Sequence, residues 1–88
     1  MRIDKYLKVA RILKRREVAK ELALNERLLI NDKIAKASSE VKVGDIITVI
    51  FGHREITIRV LDIKEHASKE EAFGMYEIVD EVKLNSDC

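Results

Sequence analysis

Apolar positions follow one period up to about residue 24 and another from Arg27 onward. In the opening stretch Ile3, Tyr6, Leu7 and Ala10 recur at helical spacing, and Asp4 stands where a carboxylate favours a helix N-terminus. Lys5 and Lys8, three apart on the polar side, are neighbours. A second helix is predicted from about Arg15 to Leu24, with Val18, Ala19, Leu22 and Ala23 as its buried stripe. At about 100° per residue Arg16 and Lys20 share one border of that stripe, and Glu17 and Glu21 lie on the other. The basic run Arg11-Ile12-Leu13-Lys14-Arg15-Arg16 joins the two helices. A connection of only ~5 residues packs them as an αα-corner.

The remainder reads as strands. Leu28-Leu29-Ile30 forms a short one, Asn31-Asp32-Lys33 a turn and Ile34-Ala35-Lys36 the return. Val43-Gly44-Asp45 is another turn, and the nearly continuous apolar run from Ile46 to Phe51 predicts a central strand. Gly52-His53 suits a type II′ hairpin, with glycine first. Ile56, Ile58 and Val60 then alternate with Thr57, Arg59 and Leu61, the mark of a half-buried strand. Lys64 to Glu71 is read as an irregular charged connection, Met75 to Val79 as a last strand, and Asn85 to Cys88 as a frayed tail. The expected class is α+β: two N-terminal helices on a small, mostly antiparallel sheet. Residues 1–63 form the body, and residues 64–88 are a short β-rich extension of the same domain.

Composition narrows the function. Apolar residues make up 47% of the 88, enough for one core. A chain of this size buries about 60–65% of its unfolded surface, which leaves little room for a cofactor-filled cavity, so no cofactor is expected. The aromatics are Tyr6, Phe51, Phe73 and Tyr76, too few for a platform that stacks single-stranded nucleic acid. No apolar run of about 18 residues and no signal-peptide pattern occurs, so a cytoplasmic chain with no membrane partner is expected. The lone Cys88 fits a reducing compartment.

Net charge of +1 conceals an asymmetry. Residues 1–36 carry 11 Lys/Arg against 5 Asp/Glu, a balance of +6; residues 37–88 carry 6 against 11, a balance of −5. A polyanionic partner at the basic end accounts for this, and so does an ordinary solvated surface. Charge alone leaves both open.

Four separated segments then resemble a known family: Arg2-Ile3-Asp4-Lys5-Tyr6-Leu7, Lys14-Arg15-Arg16-Glu17-Val18-Ala19, Leu29-Ile30-Asn31 and Val43-Gly44-Asp45-Ile46-Ile47-Thr48-Val49. Their order and spacing are similar to those of the S-four RNA-binding domain, named after the fourth small-subunit ribosomal protein. The likeness covers roughly residues 1–50 and implies that family's αL RNA-binding motif. Ala35-Lys36-Ala37-Ser38-Ser39 and the strand-rich tail look like the small stand-alone, heat-shock-related members of the family. That resemblance implies docking on a large ribosomal subunit that carries obstructed peptidyl-tRNA, in support of ribosome-associated quality control by C-terminal tailing of stalled chains. It implies as partners large-subunit rRNA, the tRNA and a tailing factor of the NEMF/RqcH class, with the chain itself a monomer.

The family's RNA-contacting arginines fall on Arg2 and Arg16. A guanidinium is always charged and pairs with phosphate through a planar fork, which suits that role. Lys5, Lys8, Lys14, Arg15 and Lys20 are read as supporting point charges, though each could equally be a solvated residue. Structured RNA is recognised by shape, phosphates and 2′-hydroxyls, as basic helices poor in aromatics require. Two departures stand out. Asn25-Glu26 replaces the family's glycine after the second helix, and Asn31-Asp32 replaces its Asn-Gly turn. Asn and Asp tolerate a left-handed backbone, so the fold is expected to survive, but Glu26 brings negative charge near the basic face.

Other features point nowhere catalytic. His53 and His66 lack partners at metal-ligand spacing, Ser38 and Ser39 lack a His–Asp arrangement, and Cys88 cannot be held in a nucleophile's geometry. The three glycines build no Walker loop, and no enzyme is expected. Two further readings remain: a general rRNA or tRNA binder in ribosome assembly or recycling, and a protein-interaction adaptor that works through its acidic C-terminal half.

Overall fold

A computed structural model describes residues 1–83, so the frayed tail read at Asn85–Cys88 lies outside the described residues. Helix α1 spans Ile3–Val9 and α2 spans Arg16–Leu24. Strands β1 (Leu28–Ile30), β2 (Lys33–Ile34), β3 (Ile46–Phe51) and β4 (Arg54–Val60) follow, then a short helix α3 (Lys69–Phe73) and strand β5 (Tyr76–Lys83). The five strands form one antiparallel sheet in the order β2-β1-β3-β4-β5. Class and sheet agree with the reading of the sequence, and β3 takes the central place its apolar run demanded.

The core gathers the helical stripe of α1 (Ile3, Tyr6, Leu7) and Ala19 and Leu22 of α2 against Leu28, Ile47, Val49, Ile58 and Val60 of the sheet. Ile47 and Val49 are two apart and therefore point to the same face, as do Ile58 and Val60. Met75, just before β5, closes the far side: its carbonyl accepts the Tyr6 hydroxyl at 2.7 Å and the amides of Leu61 and Asp62 at 2.8 and 3.1 Å. Burial raises the pKa of that phenol well above 10.0, with smaller contributions from Tyr76 and Asp62.

Both N-terminal helices end in the same device. After α2 the Arg27 amide donates to the Leu22 carbonyl (2.8 Å) and the Glu26 amide to that of Ala23 (3.1 Å). After α1 the Ile12 amide donates to Leu7 (3.0 Å) and the Arg11 amide to Lys8 (3.0 Å). This is the Schellman pattern, whose pivotal residue is left-handed and usually glycine. The pivots are Arg11, with φ 61°, and Glu26, with φ 60°. The left-handed position thus falls on Glu26 rather than on the more tolerant Asn25.

Three sequence expectations need correction. The turn after β1 is Asn31-Asp32 alone, both with positive φ (51° and 67°), a type I′ pair that leaves Lys33 in β2 and ends the return strand at Ile34. Lys64–Glu71 is not wholly irregular, because Ser68 and Glu71 form a reciprocal capping box that starts α3. Finally, β5 runs on to Lys83, since pairing with the whole of β4 extends it beyond Val79. At the β3–β4 hairpin only Gly52 has positive φ (60°), as a type II′ turn requires.

Candidate nucleic-acid interface

The N-terminus of α1 is tied to the chain crossing beneath it. The Ile3 amide donates to the Ser39 carbonyl at 2.8 Å, that of Asp4 to Ala37 at 3.3 Å, and Arg2 bridges to Glu40. These bonds turn Asp4 inward, where it is fully buried. A carboxylate taken out of water must be paired and hydrogen-bonded to stay charged. Asp4 is both. Its Oδ1 accepts from the Lys5 amide at 2.7 Å and from Arg16 Nη2 at 3.1 Å, and its Oδ2 accepts from Arg2 Nη2 at 3.1 Å.

The two arginines singled out in the sequence are therefore held by one carboxylate. Arg2 is the residue before α1 and Arg16 the first residue of α2, so the clamp fastens the two helix N-termini together. Their side chains remain 47% and 37% exposed. Each guanidinium has five N–H donors and gives one to Asp4, which leaves donors for an outside acceptor. Among the described residues, Arg16 Nε is buried and has no acceptor. A buried donor of this kind is satisfied by a water or by an acceptor that a ligand brings.

Lys8, Lys14, Arg15 and Arg16 line one concave surface with Glu17. Three of the supporting cations thus meet Arg16. Lys5 stands apart, because its ammonium is paired with Glu65 from the far end of the sequence. That hydrogen bond, and then the charge of Lys5, lowers the Glu65 pKa below the ordinary carboxylate value. Lys20 is exposed one turn beyond Arg16 and lines none of this surface. Glu26 is exposed at the end of α2, whereas Arg16 is at its start, so its charge lies at the opposite end of that helix.

Sequence reasoning missed two participants. The sequence shows Asp4 only as a favourable charge at a helix N-terminus, whereas in the fold it holds both arginines. Arg11 belongs to the basic turn, and with no glycine after the first helix nothing in the sequence marks its left-handed backbone. Among the described residues no group of three or more His, Cys, Asp or Glu could hold a metal ion, and no helix is long and apolar enough to cross a membrane.

Two helices pinned at their N-termini, joined by a basic turn and laid on an antiparallel sheet, define a small α+β domain. The S4 domain family model matches residues 1–47, and the chain belongs to that family. The match takes in the Asp4 clamp, both helices and the start of β3. Beyond the family, the chain is 52% identical over 84 residues to the RQC P-site tRNA stabilizing factor of Bacillus subtilis, covering 96% of this chain and 98% of that protein. It is 46% identical over 87 residues to the protein of the same name in Streptococcus pneumoniae, covering 99% of each. Among solved structures, the trimeric heat shock protein 15 of Vibrio cholerae superimposes with a TM-score of 0.82 at 32% identity, over 90% of this chain and 81% of that one.

Proposed function

We propose that the chain is a non-catalytic RNA-binding factor of ribosome-associated quality control. On this reading it docks on the large ribosomal subunit carrying obstructed peptidyl-tRNA, touching both rRNA and the tRNA. It thereby assists the C-terminal tailing performed by a separate factor of the NEMF/RqcH class. Full-length likeness to proteins named RQC P-site tRNA stabilizing factor supports the setting. The observation that carries the chemistry is the pair of half-exposed arginines held by buried Asp4, beside an Arg16 Nε that lacks an acceptor.

Mechanistically, Asp4 stops the two guanidiniums from sampling other rotamers, so less side-chain entropy is lost when phosphate binds. Lys8, Lys14 and Arg15 add positive potential around the contact. The chain acts in the cytoplasm as a monomer and contributes binding, not bond-making. The adaptor reading is weaker, because carboxylates of the acidic half are already paired within the chain: Glu65 with Lys5, Glu77 with Arg59 and Glu81 with Arg54. Sedimentation with ribosomal subunits tests the proposal. Enrichment on large subunits that carry tRNA is the expected result. A chain that stays at the top of the gradient points to the adaptor, and equal binding to all rRNA to a general assembly or recycling factor.

A further inference from the structure

A second cleft of about 370 Å³ lies between the end of α1 and the segment that leads into α3. Three cations border it: Lys8, Arg11 and Lys14. None of the three has an ion-pair partner among the described residues. Its one acidic neighbour, Glu65, is already held by Lys5, so the cleft is net positive. Val9, buried Leu13 and Ala67 give it an apolar lining, and the exposed His66 borders it as well. Three cations, an apolar lining and a flat ring together match a nucleotide better than they match phosphate alone.

The backbone supports the same conclusion. Arg11 holds a left-handed conformation (φ 61°) at the pivot of the first Schellman turn, where glycine is favoured. Of the four non-glycine residues in this region, Arg11 is the one with a cationic side chain. That side chain borders this cleft. Three of the eight residues that line the cleft, Glu65 to Ala67, lie outside the S4 match of residues 1–47.

We propose that this cleft receives one unpaired nucleotide of the bound RNA, with phosphate toward Lys8, Arg11 and Lys14 and the base against the apolar lining of Val9, Leu13 and Ala67 and the ring of His66. The inference rests on the RNA-binding reading and adds to it a preference for bulged over fully paired RNA. His66 is a specificity residue here, because a phosphate-only site has no use for a ring.

The test titrates the full chain with two RNA hairpins that differ only by a single bulged adenosine, at one salt concentration, with NMR detection. The bulged hairpin is expected to bind about tenfold tighter, within the range that stacking of one base contributes, and to shift the methyl signals of Val9, Leu13 and Ala67. His66→Ala is expected to abolish the preference while binding the paired hairpin as before. Arg11→Gly is expected to melt at higher temperature yet bind both hairpins more weakly, a combination that a purely structural role for Arg11 does not produce. Equal affinity for the two hairpins with unmoved methyl signals overturns the nucleotide site. Failure of both hairpins to bind defeats the RNA-binding reading itself, a different result.

Discussion

Arg16 and Asp4, twelve positions apart, are joined by a hydrogen bond of 3.1 Å between a half-exposed guanidinium and a buried carboxylate. Arg2 reaches the other carboxylate oxygen at the same distance. One buried charge thus aims two surface cations, and the core and the proposed interface share a residue.

Asp4→Asn keeps the size of the side chain and an acceptor for the Lys5 amide but removes the charge. The expected outcome is a folded protein destabilised by about 2 kcal/mol, in the range for hydrogen bonds to a charged group. Denaturant unfolding measures this. RNA affinity should fall as well, although the residue itself is buried; unchanged affinity would show that the arginines need no positioning.

Arg2→Ala and Arg16→Ala are each expected to weaken RNA binding by about 1.5–3 kcal/mol while the fold survives, because Asp4 keeps one partner. The double variant is a different case. It leaves a buried carboxylate unpaired and should lose stability by about 3 kcal/mol or more. Asp4→Asn in that background should restore the fold without restoring binding, which subunit co-sedimentation and thermal melting together can read. Wild-type affinity should also decline with salt as counterions are released from neutralised phosphates.

Glu26→Gly and Asp32→Gly place glycine at two left-handed positions, φ 60° and 67°. Relief of the backbone cost, less the extra unfolded-state entropy of glycine, should stabilise each variant by about 0.5–1 kcal/mol. In a domain of this size that corresponds to a few degrees of Tm, roughly 4–8 °C per kcal/mol. Calorimetry decides; no gain at Glu26 would mean that its side chain does something in the native state.

Tyr6 governs the alkaline limit. Its folded-state pKa is raised above 10.0, first by burial, so the native state holds the proton more tightly than the unfolded chain does. Its contribution is complete below pH 10.0 and is lost progressively as pH rises beyond that value. Unfolding curves from about pH 9 to about pH 11 should show a decline that is smaller in Tyr6→Phe. At neutral pH that variant should cost only about 1 kcal/mol, because the Met75 carbonyl keeps the Leu61 and Asp62 amides.

Ser68→Ala removes the hydroxyl that accepts the Glu71 amide at 3.2 Å and breaks the capping box. A loss of about 1 kcal/mol is expected. Faster amide exchange confined to Lys69–Phe73 would locate it in α3.

Local chemistry made much of the molecule legible from sequence. The 3.6-residue stripe through Ile3, Tyr6 and Leu7, the alternation of Ile56, Ile58 and Val60, and the Gly52-His53 turn each depend on neighbours within one element. They were accordingly readable there. Arg2 and Arg16 were legible as a family likeness, and their electropositive surroundings as a charge imbalance. The helix α3 was missed although its capping box was present in Ser68 and Glu71, because the charged stretch around them masked the signal.

What the sequence by itself determined was the order of elements, the basic balance of residues 1–36 and the residue types suited to phosphate. Only the tertiary structure decided how those residues act together. Asp4 meets Arg16 across the helix corner, Lys5 is matched by Glu65 sixty residues away, and His66 and Arg11 border one cleft. Such contacts join positions with no periodic relation to one another. They are set by the packing of α1 and α2 on the sheet, which no single segment encodes.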